Sequence, residues 1–300
     1  MKTKTCIIIA GPTAVGKTAV GVKLAAYFNT TIISADSRQC YKELNIGVAK
    51  PSLDELKQVH HFFIDSHSIS DNLSAVDFEH YALHAVNEIF KENDVAVMVG
   101  GTGLYIKSFC EGMDDIPEVP ASVRAFVVEG YEKNGLEWLR DLIHENDKLY
   151  SRTGNMQNPQ RMMRALEVAV GTGNSILTFQ KGEKKNRDFN IIKIALDLPR
   201  NELYDRINLR VDQMINMGLV EEAYGLKDFR HLNALQTVGY REIFEYFDGN
   251  ISLEEAISLI KQNSRHYAKR QLTWFRKDAL YHWMTPDAEA VIEYVKRLMA

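Results

Sequence analysis

An eight-residue segment near the start of the chain has the residue types and spacing of a phosphate-binding loop. Residues 11–18 match G-x-x-x-x-G-K-[ST] in full, after a short apolar run and before a helical pattern. Backbone N–H groups of such a loop converge on phosphate oxygens at the positive end of the following helix. The lysine neutralises charge, and the last hydroxyl is suited to Mg²⁺. The predicted anion-binding residues are Gly11, Pro12, Thr13, Ala14, Val15, Gly16, Lys17 and Thr18, with Thr18 as the metal ligand.

A carboxylate follows the second predicted strand. Asp36 stands just past residues 31–34, and ligands of open α/β sheets bind at the carboxyl ends of the strands. We therefore expect Asp36 at the same edge of the sheet as the phosphate-binding loop. A carboxylate in that place can accept a proton from, or orient, an attacking N–H or O–H group. From spacing alone, an N-cap or a Mg²⁺ ligand is an equally open interpretation.

A second glycine-rich turn, residues 100–105, is predicted on that edge. Alone it indicates a close approach of backbones rather than a site. The default reading of a phosphate-binding loop is a nucleotide kinase or NTPase. Such proteins usually end a neighbouring strand with an acidic residue that holds Mg²⁺. Here the third strand runs into residues 99–103, Val-Gly-Gly-Thr-Gly, without a carboxylate, which argues against ATP hydrolysis.

The elements that must position these residues alternate between strand and helix. Apolar runs predict strands at residues 5–10, 31–34 and 95–99, and helical spacing predicts helices at 17–28 and 75–91. Alternation of this kind implies a parallel sheet covered by helices. The predicted fold class is α/β: a P-loop NTPase-like parallel sheet flanked by helices, with a small helical insertion domain and a helical C-terminal region.

A proline-containing break at residues 116–120 suggests where the insertion begins. Residues 117–156 form the predicted helical insertion domain, and residues 1–116 with 157–300 form the core. Within that core we expect a helix from about Pro159 to Gly171, a strand at residues 190–196, and only helices from Pro199 onward.

Composition limits the classes of function. The net charge of −4 gives the whole molecule no attraction for nucleic acid, so any RNA contact needs a local basic patch. Three scattered cysteines predict neither a disulfide framework nor a cysteine zinc site. The apolar run that begins the chain is too short for a signal peptide or a membrane span. We expect a soluble cytoplasmic protein without a membrane partner.

Taken together, these segments resemble the tRNA dimethylallyltransferases (tRNA isopentenyltransferases). Members of that family transfer a dimethylallyl group from dimethylallyl diphosphate to N6 of the adenine next to the anticodon. One such motif would be weak, but the ordered series is specific. The matching segments are residues 11–18, 34–39, 46–51, His60-His61 with Asp65, 100–105, 159–167, 236–240 and 268–274.

The resemblance implies roles for some of the matching residues. Thr13, Lys17 and Thr18 would bind the diphosphate, with Mg²⁺ near Thr18, and Arg210 would assist them. Asp36 would be the base that accepts a hydrogen bond from the adenine amino group. The implied catalytic residues are Asp36, Lys17, Thr18 and Arg210. The tRNA-binding residues that the resemblance implies are Asp36, Ser37, Arg38, Gln39, Thr102, Gln160, Arg161, Met162, Met163 and Arg164. Arg124, Lys269 and Arg270 are further predicted tRNA contacts.

The implied substrates are dimethylallyl diphosphate and the anticodon stem-loop of tRNA, with a monomer as the default state. Three features depart from the family pattern. Val15 replaces a small hydroxyl-bearing residue, Val48 replaces the usual Thr, and residues 151–157 are unusual, so contacts in that last segment are in doubt.

A basic segment could supply the local RNA contact. Residues 261–277 contain six Lys or Arg, three aromatic residues and no acidic residue. Such a pattern is a footprint for phosphates, although a solvated helix face remains the alternative. Arg206 and Arg210 lie four apart on one predicted helix face. Spacing alone indicates surface charges, the resemblance favours a function for Arg210, and Arg206 stays open.

Two other enzymes compete with the main prediction. An isopentenyltransferase that acts on free AMP or ADP would share the diphosphate site but would not need the insertion or the basic segment. A P-loop small-molecule kinase would use ATP. A non-catalytic RNA-binding module would leave the phosphate-binding loop and Asp36 without a role.

Overall fold

The computed structural model describes residues 4–299, and the chain divides into two compact units. The first unit contains the residues up to 110 and those from 186 onward, and the second contains residues 111–185. Each unit has a hydrophobic core of its own, and in the first unit the core is divided by a β-sheet.

The first unit is built on a sheet of six parallel strands within the described residues, in the order β3-β2-β4-β1-β5-β6. The central strand β1 pairs with β4 on one side and with β5 on the other. The strands are β1 (Thr5–Ala10), β2 (Ile32–Ala35), β3 (His61–Phe62), β4 (Val95–Gly100), β5 (Asn190–Leu196) and β6 (His282–Met284).

Helices cover both faces of the sheet. Alternate side chains of β1 enter opposite cores: Ile7 and Ile9 pack on one face, and Cys6, Ile8 and Ala10 on the other. The helices of the first unit are α1 (Lys17–Tyr27), α2 (Leu53–Gln58), α3 (Ala75–Glu92), α4 (Gly103–Glu111), α9 (Arg200–Asn216), α10 (Leu219–Gly225), α11 (Tyr240–Phe247), α12 (Leu253–Phe275) and α13 (Ala288–Met299); α4 ends at the junction of the two units.

The second unit is helical. It contains α5 (Ala121–Asn146), α6 (Lys148–Thr153), α7 (Pro159–Thr172) and α8 (Ile176–Phe179). Helix α5 breaks at Gly135, where φ is 77° and ψ is −163°. The unit extends beyond the predicted insertion of residues 117–156, because α7 packs on α5 through buried apolar side chains such as Leu166 and Leu139. A helix near Pro159 was expected, but in the core.

The predicted fold class is confirmed. Strands β1 and β5 have the predicted bounds, β2 is shifted by one residue from the predicted 31–34, and β4 is one residue longer than the predicted 95–99. The expectation of helices alone after Pro199 is wrong, because β6 adds an edge strand beside β5. Neither β6 nor β3 was predicted, since segments of three and two residues carry no detectable alternation. No helix within residues 4–299 has the length and apolar character needed to span a membrane.

Candidate active site

The phosphate-binding loop forms the turn between β1 and α1. Gly11 has φ of 147°, and a Cβ there would lie 2.7 Å from the carbonyl oxygen of Leu196, so a side chain has no room. Gly16 precedes the first residue of α1 with φ of 104°, in the left-handed region that favours glycine. The local fold therefore requires both glycines of the motif and brings the loop to the N-terminus of α1.

Lys17 folds back over this loop. Its Nζ donates a hydrogen bond of 2.7 Å to the carbonyl oxygen of Pro12. Loss of hydration lowers the pKa of the Lys17 ammonium to about 8, which Asp36 opposes and Arg210 reinforces. The charges of a carboxylate and a guanidinium therefore both act on the ammonium, and a bound anion would raise its pKa toward the usual value.

Val15 and Thr18, two other residues of the loop, lie in different surroundings. Val15 is fully buried in the core, so its departure from the family pattern concerns packing. Thr18 is partly exposed and lines a cavity of about 20 Å³ with Ser34 and His61, which is room for about one water molecule. Thr18 and Ser34 offer hydroxyl oxygens there, the kind of donor that Mg²⁺ takes, and Thr18 as its ligand stays a prediction.

Asp36 lies one residue beyond β2, at the carboxyl edge of the sheet. Its Oδ1 accepts hydrogen bonds from the backbone N–H groups of Arg38 (2.9 Å) and Gln39 (3.3 Å). The carboxylate therefore caps the following turn, as one of the sequence interpretations has it, and it also lines a large cavity. The two roles do not compete, because Oδ1 makes both turn contacts.

The cavity beside Asp36 has a volume of about 760 Å³, within the usual range for ligand sites. It brings together residues from the phosphate-binding loop, the Asp36 segment, α9 and α12. Those that matter to the chemistry are Thr13, Asp36, Arg38, Arg210, Tyr267 and Arg270. Ser37 and Ala14 also line it.

Arg210 reaches from α9 to the phosphate-binding loop. Its guanidinium donates to Thr13 Oγ1 and to the carbonyl oxygen of Ala49, each at 3.3 Å. Loss of hydration lowers the pKa of Arg210, which Asp36 and Glu55 oppose. Arg206 is exposed and pairs with Glu202 at 2.8 Å, with Nη1 3.9 Å from where a Cβ on Gly16 would stand.

The turn after β4 contacts the Asp36 segment through Thr102. The Thr102 N–H donates to the carbonyl oxygen of Ala35 at 3.1 Å, and Thr102 Oγ1 accepts from the N–H of Ser37 at 3.0 Å. A Cβ on Gly100 would lie 2.2 Å from the oxygen of Ala35. The close approach expected for this glycine-rich turn is confirmed.

Residues 45–49 form a loop whose carbonyls hold two candidate site residues. Gln39 Nε2 donates to the oxygens of Val48 and Ala49, and Ala49 also accepts from Arg210. The other end of the loop is held by Glu222, whose carboxylate accepts hydrogen bonds from the N–H groups of residues 45, 46 and 47. The Tyr240 hydroxyl donates to the same carboxylate at 2.5 Å. Sequence reasoning missed Glu222, because nothing local to it indicates a partner so far away along the chain.

Helix α12 and the two residues after it carry the predicted basic segment, but half of the segment's charges are engaged. Lys261 pairs with Asp212, Arg276 pairs with Asp197, and Arg265 donates to Asn208. Lys269 and Arg270 are exposed, and Arg270 lines the cavity. Tyr267 also lines the cavity. Loss of hydration and the charge of Asp36 raise its pKa to about 12, so it stays protonated.

The remaining predicted RNA contacts lie in the second unit. Arg124, Gln160 and Arg161 are exposed there, and Arg164 is partly buried in an ion pair of 3.1 Å with Glu167. Met162 and Met163 were expected to contact tRNA, but both side chains are buried in the core of this unit. This burial follows from the amphipathic pattern of α7, which turns its apolar face toward α5, and a tRNA contact of this segment stays a prediction.

Comparison with known proteins places the chain in a family. The family model for IPP transferase matches residues 39–278. A "tRNA dimethylallyltransferase 1" of Bacteroides thetaiotaomicron is 44% identical over 97% of this chain and 95% of its own length. A "tRNA dimethylallyltransferase" of Christiangramia forsetii is 47% identical over 97% of both chains.

Solved structures give the same result. The full-length tRNA isopentenylpyrophosphate transferase of Bacillus halodurans aligns with a TM-score of 0.71 and 37% identity, over 99% of this chain and 95% of its own. A eukaryotic dimethylallyltransferase acting on tRNA aligns with a TM-score of 0.73 and 25% identity, over 91% of this chain and 70% of its own.

A parallel sheet with a phosphate-binding loop at the N-terminus of α1 defines a P-loop protein. The chain belongs to the IPP transferase family, and the predicted family and enzyme class, prenyl transfer, are confirmed.

Proposed function

We propose that the protein transfers a dimethylallyl group from dimethylallyl diphosphate to N6 of the adenine next to the anticodon in tRNA, releasing diphosphate. In this reaction the bond from the allylic carbon to the diphosphate oxygen breaks, and a bond from that carbon to N6 forms. One N6 proton leaves. The observation that carries the proposal is that Thr13, Arg210 and Asp36 line one cavity.

The donor side must stabilise negative charge as the diphosphate leaves. The loop N–H groups, Lys17 and Arg210 are the groups proposed for this work, because fixed positive groups at a developing anion lower the barrier. The charge of Asp36 acts on both Lys17 and Arg210. The two cations of the donor side are therefore near the carboxylate proposed for the acceptor. Thr18 is the proposed ligand for Mg²⁺, which would neutralise diphosphate charge when bound.

The acceptor side must make a weak nucleophile attack. The lone pair of the adenine amino group is delocalised into the ring, and a carboxylate that accepts an N–H hydrogen bond from it favours attack. We assign this role to Asp36, whose Oδ1 is held by two backbone N–H groups. Arg210 and Lys17 hold the donor beside it, so both substrates meet in a fixed geometry.

A stacked adenine cannot reach a cavity of this kind, so the base has to be flipped out of the anticodon loop. Ser37, Arg38, Gln39, Thr102, Lys269 and Arg270 are the proposed tRNA contacts of the first unit. Arg124, Gln160, Arg161 and Arg164 are those of the second. The anticodon stem-loop is the proposed binding element, and a monomer in the cytoplasm is the proposed working form.

One assay separates this function from its rivals. The protein is incubated with labelled dimethylallyl diphosphate and either bulk tRNA or AMP. Label in tRNA that maps to the adenine next to the anticodon is the expected result. Label in AMP alone would make the protein an isopentenyltransferase of free nucleotides. ATP turnover without prenyl transfer would make it a kinase.

A further inference from the structure

Gln271 is a buried polar residue of α12 to which the chemistry above gives no role. It is 7% exposed, and its side chain lies between the phosphate-binding loop and the turn after β4. A buried amide of this kind needs partners for both its oxygen and its nitrogen, and Gln271 has one for each.

The two partners belong to different loops. Gln271 Oε1 accepts a hydrogen bond of 2.8 Å from the backbone N–H of Thr13. Gln271 Nε2 donates one of 2.9 Å to the backbone carbonyl of Gly101. Because one partner can only donate and the other can only accept, the orientation of the amide is fixed. A single side chain thus joins residues that are 88 positions apart in the sequence (101 minus 13).

Gly101 packs closely against the Gln271 side chain, without room for a side chain of its own. A Cβ on Gly101 would lie 2.3 Å from Gln271 Nε2 and 3.4 Å from the carbonyl oxygen of Gly11. The turn therefore sits directly against both the glutamine and the phosphate-binding loop. Only glycine permits this approach, because any side chain would push Nε2 away.

The connection continues to the Asp36 segment. Thr102, the next residue, holds Ala35 through its N–H and Ser37 through its hydroxyl. Asp36 lies between those two residues. On the other side, Thr13 Oγ1 accepts from Arg210. Gln271 is therefore the link between the groups proposed for the diphosphate and the segment proposed for the adenine.

We propose that Gln271 is a positioning residue for prenyl transfer, which sets the separation between the diphosphate-binding loop and Asp36. This inference rests on the proposed function. In this scheme Gln271 contacts neither substrate. It acts through Thr13 on the donor side and through Gly101 and Thr102 on the acceptor side. Its effect belongs to the chemical step, because a displacement of about 1 Å between reacting groups can lower a rate by about 100-fold.

The test compares two Gln→Met variants on the same helix. Q271M keeps the length of the side chain and loses both hydrogen bonds. Q262M makes the same change at an exposed position of α12. The single-turnover transfer rate is measured with saturating tRNA and dimethylallyl diphosphate. The Kd of dimethylallyl diphosphate without tRNA and the unfolding temperature are measured on the same preparations.

We expect Q271M to lower the transfer rate by about 10- to 100-fold, while the Kd changes by less than about threefold and Q262M behaves as wild type. Q271N is the second variant, because its shorter side chain stays polar but cannot span both loops; we expect it to lower the rate as well. A wild-type rate in a folded Q271M or Q271N, or a loss of binding equal to the loss of rate, would overturn the positioning role. Failure of the wild-type protein to label tRNA would instead overturn the proposed function, and this inference with it.

Discussion

At the scale of single residues, the site depends on charges held close together at low hydration. The charge of Asp36 acts to raise the pKa of both Lys17 and Arg210, whereas the charge of Arg210 acts to lower the pKa of Lys17. The motif GPTAVGKT made Lys17 and Thr18 predictable from the sequence, because the spacing of that loop is tied to its backbone geometry. The place of Arg210 was not readable from spacing, since it depends on how α9 crosses the loop.

The first residue-scale prediction concerns pH. In the proposed function, dimethylallyl diphosphate binds to the charged form of Lys17. The pKa of the Lys17 ammonium in the free protein is about 8. Below pH 8 the ammonium is already protonated, so the affinity for dimethylallyl diphosphate does not depend on this group. Above pH 8 binding must also take up a proton, and the affinity falls by about tenfold per pH unit. Titration calorimetry without tRNA from pH 6.5 to 9.5 measures this.

The matched control is K17M, which removes the titrating group. Its affinity is expected to be weaker and to be flat between pH 8 and 9.5. A decline of the same steepness in K17M would mean that another group causes it.

At the scale of elements, the loops at the carboxyl edge are held by side chains from distant helices. Glu222 of α10 and Tyr240 of α11 secure residues 45–47, and Gln271 of α12 joins two other loops. The sequence predicted the strands and helices well, because apolar periodicity is a local signal. It could not predict these ties, because a hydrogen bond between segments so far apart leaves no periodic trace.

The element-scale prediction is that Y240F destabilises the protein. Burial raises the pKa of Tyr240, and the adjacent Glu222 adds to this, so the phenol stays protonated and donates to the carboxylate. Removing a hydrogen bond to a charged group costs on the order of 2 kcal/mol. Urea denaturation should show a free energy of unfolding lower by that amount. The exposed Tyr224 provides the control, since Y224F should leave it unchanged; equal effects of the two variants would contradict the account.

At the scale of the whole molecule, the chain forms two units and returns to the first unit at residue 186. A buried ion pair involves the next residue, Arg187. Arg187 donates to Glu79 of α3 at 2.8 Å and to the carbonyl oxygens of Phe109 and Ser108 near the end of α4. Composition and the break at residues 116–120 indicated an insertion, but its extent depends on how α7 packs on α5. That packing could not be read from the sequence, because α7 is equally amphipathic whichever core it covers.

The prediction at this scale compares two glutamates of α3. Glu79 is 5% exposed in its pair with Arg187, and Glu88 is 42% exposed in its pair with Lys91. E79Q leaves a buried guanidinium without its counter-charge, which costs about 3 kcal/mol of unfolding free energy. E88Q should change nothing measurable, because water already solvates that pair. Denaturant unfolding of both variants tests this, and a similar stability for the two would contradict the structural role of the buried pair.

The central claim is that Asp36 acts on the adenine while the phosphate-binding loop holds the donor. D36N tests it most directly, because the amide keeps an oxygen for the N–H groups of Arg38 and Gln39 and loses only the charge. The measurement is the single-turnover transfer of label to tRNA, together with the Kd of dimethylallyl diphosphate. We predict that the transfer rate falls by about 100-fold or more, while the Kd of dimethylallyl diphosphate stays nearly unchanged. A near-wild-type rate, or a loss of affinity as large as the loss of rate, would contradict the account.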